Sequence, residues 1–573
     1  MALHRAKQYD EAIAAFNSML HSIERSYDPA IRQLRKNYTS PSETTATVDA
    51  VARGILKSCP FVVIDVATGH LCDDSARINI FKADPLFKEL VSSMTRKLDE
   101  ERIYRVVTRF FSYVVFSHVW QGNELSFQDV NSVELVWNLP NMASSEKLWN
   151  FCKEAQRLGY KWAWSDTCCI DKTTSSILNQ SLTSMYKWYT DSAATLVFLA
   201  GVAHPSKPRD ITRSLWMTRA WTLQELLAPK VIFFYDSTWQ PYLGNTGTNH
   251  KKCPQIMQGL ADTIKIPHGT IVTFSPGMLG VREKLRLAST RNVTVKEDVA
   301  YSLIGIFESD IRPYYSEGAN ALGHLLEEIV TRFGEVTVLA WSGKTSTYNS
   351  CLPASVSVYN QTPYNPPSLE GEEMKTRIAE LRGKLSRREA SSIYNQINSL
   401  QPACFAARRL YLPCIIFPVR ALSIQGNDEK LYHAEVSGLG NVEFTTTDDL
   451  TVDERKKFIF AHPWIRHIRG PNSEVAGEND SESDMDADSD SDSDGSTESD
   501  EDASLDGVAV PQVGYARALQ MIAHLGQPFN ALLFVQQPNG EYKRIAAENE
   551  IVVPGLGTDI TPRNIRTRIL EIL

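Results

Sequence analysis

The stretch "KWAWSDTCCIDK", residues 161–172, combines two tryptophans, two acids and the adjacent cysteines Cys168 and Cys169. It fits a metal site, a thiol nucleophile, or the end of a buried strand. We interpret it as a strand and the turn at its carboxyl end. Because successive strand residues point to opposite faces, we expect the two thiols to pack under different layers and not to act as a pair. We expect Asp171 to cap the next helix or make a structural hydrogen bond, with a pocket-lining role as the alternative.

Composition limits what kind of protein this is. The 573 residues are 43% hydrophobic and 22% charged, which is typical of about two to four globular folding units. The nine cysteines form no C-x-x-C pair, so we expect buried reduced thiols, no disulfide framework and no metal site. There is no apolar run of about 18 residues and no secretory signal segment. We therefore expect an intracellular, cytoplasmic protein without membrane association.

Short apolar runs alternate with amphipathic segments between residues 110 and 240. The runs are "YVVFSHVW" (113–120), "KWAWSDTCCI" (161–170), "AATLVFLAGV" (193–202) and "KVIFFYD" (230–236). Between them, "SEKLWNFCKEAQRLGY" (145–160) has helical spacing and a stop signal at Gly159. Strands that alternate with helices in this way predict an α/β fold with a doubly wound parallel sheet.

The flanking regions have a different character. "CPFVVIDVATGHLC" (59–72) predicts two short strands around a turn, and Asn539-Gly540 predicts a hairpin. The domain organisation that we predict is a helical N-terminal region with short strands and one weak tetratricopeptide-like helix (1–109), an α/β domain (110–345, with its core at 110–240), a mixed α+β region (346–470), an acidic disordered linker (471–507) and a strand-rich C-terminal region (508–573).

The net charge of −9 comes from one acidic tract. Fifteen Asp and Glu residues and no Lys or Arg lie between Glu474 and Asp506, so the rest of the chain carries +6. Within the tract, "DSDSDGSTESDE" (490–501) matches the calcium-loop pattern. Because the segment is almost wholly Ser, Asp and Glu, and no amphipathic helices flank it, we interpret the match as chance. We expect a solvated spacer, with binding of a basic partner as the alternative.

Five motifs together resemble the fungal heterokaryon-incompatibility (HET) domain. They are "YVVFSHVW", "GYKWAWSDTCCIDK", "SMYKWYTDSAATLVFLAGV", "LWMTRAWTLQELLAPKVIFFYDSTW" and "ASTRNVTVKEDVAYSLIGIF", and their order and separations match over about residues 110–310. HET domains are similar in turn to TIR domains, which have a flavodoxin-like fold. The resemblance implies that the first and third strands are neighbours and that a crevice opens at their carboxyl ends.

The resemblance also implies where chemistry would lie. "WTLQE", from Trp221 to Glu225, resembles the segment with the catalytic glutamate of NAD-cleaving TIR domains. NAD would then be the substrate, with no required cofactor and no metal. The implied pocket candidates beside Glu225 are Ser117, His118, Trp120, Arg219 and Trp221.

Each candidate also has a purely structural alternative. Glu225 could be a surface acid paired with Arg219 or Lys230, Trp221 a core residue, and His118 a structural histidine. The later Arg291, Glu297 and Asp298 suggest an ion-pair cluster that holds a helix to the sheet.

One departure from the family weakens the enzymatic prediction. Many HET sequences carry acids early in the helix after the "CID" motif, where this chain has Ile177 and Gln180. Two functions therefore stay open: a fungal non-self-response or cell-death effector that cleaves NAD, and a signalling scaffold that works by assembly without chemistry. Either would need a protein trigger or self-assembly through the domain. Nucleic acid is a poor partner, because the acidic tract would repel it.

Overall fold

The computed structural model describes most of the chain as two compact units. The described residues are 11–19, 33, 38–94, 97–264, 268–277, 280–424, 431–447, 450, 456–464, 514–556 and 565–573. Those within Met1–Leu279 and Thr290–Gly318 form the first unit, and those within Gly280–Ser289 and Ala319–Leu573 form the second. The predicted acidic linker (471–507) and the calcium-loop match (490–501) lie outside the described residues.

The first unit contains a six-stranded sheet in the order β2-β1-β4-β3-β5-β6. Strand β3 pairs in parallel with both β4 and β5, and β5 pairs in parallel with β6. Strand β1 is antiparallel to β2 and to β4. The strands are β1 (Val63–Asp65), β2 (Leu71–Cys72), β3 (Tyr113–His118), β4 (Trp162–Trp164), β5 (Ala194–Phe198) and β6 (Ile232–Tyr235).

Burial explains why the sequence showed the parallel strands as continuous apolar runs. All six residues of β3 are buried, as expected for a strand covered on both faces. The prediction that the first and third runs are neighbours is confirmed by the pairing of β3 with β5. The predicted strand pair in residues 59–72 is confirmed too, but it joins the same sheet through Ile64 and Ala163. The sheet is therefore mixed at one edge and not purely parallel.

The strand in the opening stretch is shorter than we predicted. Strand β4 ends at Trp164, and a turn begins at once, because the Cys169 N–H donates to the Ser165 carbonyl at 2.9 Å. Cys168 and Cys169 are both buried in this turn, where Cys169 Sγ accepts a hydrogen bond from the Ser165 N–H at 3.5 Å. The expectation that they point to opposite faces of a strand is wrong, because a buried turn has the same apolar composition as a buried strand.

Amphipathic helices connect and extend the sheet. The helix Ala143–Arg157 ends before Gly159, whose φ of 83° suits glycine, as predicted. The helix Ser175–Asp191 buries Leu182, Met185 and Tyr189 on one face. The first unit includes the α-helices Pro41–Leu56, Asp74–Ala83, Pro85–Ser93, Glu100–Phe110, Phe127–Val133, Ala143–Arg157, Ser175–Asp191, Asp210–Arg213, Thr222–Leu227, Pro254–Ile264, His268–Val272, Asp298–Tyr301 and Ile304–Phe307.

The second unit is built around a nine-stranded sheet. Strands β8, β11, β12, β13 and β15 form a closed circuit, because β15 pairs with both β13 and β8. The strands are β7 (Cys404–Ala406), β8 (Arg409–Ile424), β9 (Leu431–Val436), β10 (Gly440–Thr445), β11 (Phe458–Pro463), β12 (Phe529–Gln536), β13 (Tyr542–Ile545), β14 (Ile551–Val553) and β15 (Thr567–Ile572). Its α-helices are Val281–Ala288, Asn320–Phe333, Gly371–Arg382, Arg387–Asn398 and Tyr515–Leu525.

The strand-rich character of this unit agrees with the sequence prediction. The Asn539-Gly540 hairpin is confirmed between β12 and β13, although the segment between the paired Gln536 and Tyr542 is longer than a two-residue turn. Gly540 has a φ of 93°, which explains the glycine. Among the helices that the structure describes, none has the length and apolar character that a membrane span requires.

Candidate functional site

Glu225 lies in the interior of the first unit and not at its surface. The helix Thr222–Leu227 carries it, and only 6% of the residue is exposed. Its Oε2 accepts a hydrogen bond from Ser117 Oγ, near the carboxyl end of β3. Ser117 Oγ in turn accepts a hydrogen bond from Trp216 Nε1 at 2.7 Å. The alternative of a surface acid paired with Arg219 or Lys230 is therefore wrong.

The surroundings of Glu225 favour its protonated form. Burial raises the pKa of Glu225 to about 8, and the negative charge of Asp166 adds to this. Hydrogen bonds from Ser117 and Tyr189 and the positive charge of Arg291 act in the opposite direction but do not outweigh burial. At neutral pH the side chain is therefore mainly a neutral acid, and a nearby positive charge would favour its carboxylate.

Arg291 holds the start of the helix that carries Glu225. Its Nη1 donates to the Arg219 carbonyl at 2.9 Å and to Thr222 Oγ1 at 2.8 Å. Burial lowers the pKa of Arg291 to about 10, which still leaves it charged at neutral pH. Its Nε and Nη2 are buried without a hydrogen-bond partner among the described residues. Arg291 thus places positive charge beside Glu225.

The predicted cluster of Arg291 with Glu297 and Asp298 is wrong in its partners. Glu297 accepts a hydrogen bond from the Gly318 N–H at 2.9 Å, and Asp298 accepts one from the Tyr315 hydroxyl at 2.8 Å. These acids hydrogen-bond to the segment around residue 315, whereas Arg291 hydrogen-bonds to the start of the helix that carries Glu225. Sequence spacing could not show this division, because it depends on which carbonyls the fold leaves near Arg291.

His118 is buried next to Asp166 at the end of β3. Its Nε2 lies 3.8 Å from Asp166 Oδ1, and neither ring nitrogen has a hydrogen-bond partner among the described residues. Burial, together with the positive charges of Lys147 and Lys172, lowers the pKa of His118 well below its ordinary value. The imidazole is therefore neutral, and its contact with Asp166 is not an ion pair at neutral pH.

Trp120 connects this buried group to a surface cleft. Its Nε1 donates to Asp166 Oδ2 at 3.2 Å, and Lys172 Nζ lies 3.8 Å from the centre of its ring. The cleft has a volume of about 780 Å³ and is lined by Trp120, Lys172 and residues of the 122–142 segment. It is large enough for a small organic ligand.

Arg219 and Trp221 lie at the beginning of the Glu225 helix. Arg219 Nη1 donates to Thr294 Oγ1 at 2.7 Å. Trp221 packs half-buried against the core of the first unit, and its indole partly offsets the rise that burial causes in the pKa of Asp298. The structure thus brings Ser117 into direct contact with Glu225. His118 and Trp120 both contact Asp166, while Arg219 and Trp221 contact the 294–298 segment.

Several residues of the site were not among the sequence candidates. Tyr189, Trp216 and Arg291 surround Glu225, yet each lies inside one of the motifs that carried the family resemblance. Membership of those motifs is the signal that could have identified them. Asp171 instead makes structural hydrogen bonds, as we favoured: its carboxylate accepts from Thr173 and Thr174, and these bonds lower its pKa to about 2.

No group of three or more His, Cys, Asp or Glu side chains could hold a metal ion within the part of the chain that the structure describes. The buried thiols do not suit metal binding either, because the deprotonated thiolate is the form that binds a metal ion. Burial raises the pKa of Cys152, Cys169 and Cys414 above the ordinary value and so disfavours the thiolate.

Two comparisons with known proteins find matches to part of this chain. Residues 113–209 match the model of the family "Heterokaryon incompatibility protein (HET)". The vegetative incompatibility protein HET-E-1 of Podospora anserina is 32% identical over 229 residues, which are 38% of this chain and 16% of that protein. No solved structure matches this chain significantly. Residues 113–209 are therefore similar to HET domains, and the chain spans about one sixth of the length of this relative.

Proposed function

We propose that this chain acts in heterokaryon incompatibility, the fungal response to non-self, and that its HET domain is the part that triggers cell death. The match of residues 113–209 to the family and the likeness to a vegetative incompatibility protein support this role. Because the likeness covers 16% of that relative, the trigger of this chain need not resemble the trigger of the relative. A protein partner or self-assembly through the domain would supply it.

We further propose that the domain cleaves NAD with Glu225 as the catalytic carboxylate. The observation that carries this proposal is the hydrogen bond from Ser117 to Glu225, which places the acid at the carboxyl end of β3. The strand order around β3, with β4 on one side and β5 on the other, is also the order expected for a TIR-like sheet. In such sheets ligands bind at the carboxyl ends of the two central strands.

The chemistry requires the ionised form of Glu225. When the bond between the ribose C1′ and the nicotinamide nitrogen breaks, its electron pair stays on that nitrogen and neutralises the pyridinium. The ribose is left with oxocarbenium character, which a carboxylate beside it stabilises. Water then bonds to C1′ and releases a proton, giving ADP-ribose. The positive charge of the bound pyridinium would favour ionisation of Glu225, whose pKa of about 8 otherwise keeps it neutral.

The test is NAD hydrolysis by the purified chain, with nicotinamide and ADP-ribose measured by chromatography. We expect Glu225→Gln to lose at least about 100-fold in kcat, because the amide cannot supply the negative charge. We also expect kcat/KM of the wild type to rise with pH and level off above about pH 8, as Glu225 ionises. Glu146→Gln, an exposed acid on the helix Ala143–Arg157, is the matched control.

Equal hydrolysis by wild type and Glu225→Gln would refute this chemistry. The second candidate is a scaffold of the same fold that signals by assembly. It is favoured by the burial of Glu225, because a neutral acid that accepts a hydrogen bond from Ser117 is also stable in a protein core without any catalytic role. Under this alternative, cells that express Glu225→Gln still die, NAD stays constant, and light scattering shows assembly of both chains.

A further inference from the structure

The surface cleft beside the Glu225 group is built from the segments that follow β3 and β4. Trp120, Leu125 and Met142 give it apolar walls, and Lys172 closes one side. Trp120 is 45% exposed although its indole nitrogen donates to Asp166, so this hydrogen bond holds a partly exposed ring in the wall of the cleft. Neither the family match nor the proposed chemistry assigns a role to this cleft.

The aromatic face in the cleft already holds a cation. Lys172 Nζ lies 3.8 Å from the ring centre of Trp120, which is the geometry of a cation–π interaction. Indole is the side chain that binds cations best in this way. A ligand that displaces Lys172 from this face must therefore carry a positive charge. It must also contact more of the indole ring than the ammonium does.

The charges around the cleft favour a positive ligand. Among the lining residues Lys172 is the basic one, whereas Glu124 and Asp129 are acidic. Glu124 is paired with Lys147 and Asp129 hydrogen-bonds to Ser126, so neither acid depends on Lys172. Asp166, at the edge of the Trp120 ring, attracts Lys172 and would also attract a ligand cation in its place.

We infer that the cleft binds a planar aromatic cation, which displaces the Lys172 ammonium and stacks on Trp120. The inference deepens the proposed function, on which it rests for its biological ligand: the nicotinamide ring of NAD is a planar cation. The path from the cleft to Glu225 runs through Trp120 and Asp166, whose negative charge acts on Glu225. Binding of the ring would thus bring positive charge toward the acid that needs it.

The test compares three ligands of one shape by isothermal titration. 1-Methylnicotinamide is a cation, nicotinamide is neutral and nicotinate is an anion at pH 7. The titrations use the full-length Glu225→Gln chain, which cannot cleave a substrate under the proposed function. We expect 1-methylnicotinamide to bind at least about tenfold more tightly than nicotinamide, and nicotinate to bind least.

Substitutions at two positions in that chain make the result specific to the cleft. Trp120→Leu should weaken 1-methylnicotinamide about tenfold, while Trp120→Phe should restore most of the affinity. Lys172→Met should strengthen binding several-fold, because it removes the competing ammonium. A purely structural Lys172 would not produce such a gain. Lys187→Met, which removes an exposed lysine paired with Asp191, is the matched control and should change nothing.

The inference is overturned if the three ligands bind equally, if nicotinate binds best, or if Lys172→Met weakens the cation. Preferred binding of nicotinate would make the cleft an anion site, whereas weaker cation binding in Lys172→Met would mean that Lys172 supports the site and does not compete for it. Failure of the proposed function is a different result: no NAD hydrolysis by the wild type, with tight binding of 1-methylnicotinamide retained. Hydrolysis of NAD without any preference for the cationic ligand would instead refute only the inference about the cleft and leave the proposed function standing.

Discussion

At the scale of single residues, Glu225 shows how far a motif can be taken from sequence. The W-x-x-x-E spacing indicated the residue, and the strand pattern indicated the end of the sheet where it would lie. Its contact with Ser117, 108 positions earlier in the chain, depends on the pairing of strands that are distant in sequence. Its burial beside Asp166 depends on the same packing. The motif therefore predicted the position but not the protonation state.

The raised pKa of Glu225 has a consequence for stability. Its folded pKa of about 8 exceeds the ordinary value of 4.5, so between these values the folded chain holds a proton that the unfolded chain releases. This contribution makes the fold less stable as pH rises, by about 1.4 kcal/mol per pH unit. His118 acts in the opposite sense, and its contribution fades by about pH 7.5, where an unfolded histidine is largely neutral.

We therefore expect Glu225→Gln to gain stability relative to wild type between pH 6.5 and 8. The gain across this window should be on the order of 1–2 kcal/mol, because glutamine cannot ionise. Urea unfolding of both chains at a series of pH values measures it. Glu146→Gln, at an exposed position, should show no such trend. A constant difference between wild type and Glu225→Gln across the window would contradict the raised pKa.

At the scale of elements, apolar runs predicted which segments are strands but not where each ends. The run through Trp162, Trp164, Cys168 and Cys169 contains both a strand and a buried turn. Core packing requires apolar residues in both, so periodicity could not separate them. In the same way, the pattern of residues 59–72 predicted the pair β1 and β2, but nothing local could say that β1 would pair with β4.

The edge strand β6 is protected by side chains that no sequence pattern indicated. Its Ile232 N–H donates to Asn249 Oδ1 at 3.1 Å, and its Phe234 N–H donates to His250 Nδ1 at 3.0 Å. His250 Nε2 in turn lies 3.0 Å from the Asn245 carbonyl, so its proton is on Nε2 and the ring is neutral. Two neighbouring side chains thus replace the strand that is missing at this edge.

We expect His250→Ala to cost about 1–3 kcal/mol, because it leaves the Phe234 N–H buried without an acceptor. Hydrogen exchange at the Phe234 amide should become faster, and the urea midpoint should fall. His524→Ala, which removes an exposed histidine from the helix Tyr515–Leu525, is the control. If the Phe234 amide keeps its protection in His250→Ala, the proposed role of His250 at this edge is wrong.

At the scale of the whole molecule, composition predicted an α/β part followed by a strand-rich part, but not how the chain is divided between them. The helix Val281–Ala288 belongs to the second unit, although the segments on both sides of it belong to the first. Arg282 explains this, because its guanidinium stacks on the Tyr359 ring and donates to the Tyr359 carbonyl. Such a contact spans 77 positions and has no local signature. The domain boundaries predicted from composition stay predictions.

The interior of the second unit depends on another arginine. Arg544, on β13, is 5% exposed and stacks on the ring of Trp341 at 4.0 Å. Its Nη1 donates to the Leu339 carbonyl at 2.8 Å and to the Cys351 carbonyl at 3.3 Å, and its Nη2 donates to the Trp341 carbonyl at 2.8 Å. One guanidinium thus donates hydrogen bonds to several carbonyls of an irregular segment. Burial lowers the pKa of this guanidinium only to about 10.

We expect Arg544→Leu to destabilise the second unit by about 3–5 kcal/mol, because buried carbonyls then lose a charged donor that apolar packing cannot replace. Arg544→Lys should recover only part of this, since an ammonium cannot reach three carbonyls in the plane of a guanidinium. Hydrogen exchange read by mass spectrometry should show faster exchange in peptides that cover 336–353 and 542–545, while peptides from β3 keep their protection. Arg517→Leu, at an exposed position, should leave both sets of peptides unchanged. Unchanged exchange around residues 336–353 in Arg544→Leu would mean that the irregular segment is held by its own packing, and that the guanidinium only fills space beside Trp341.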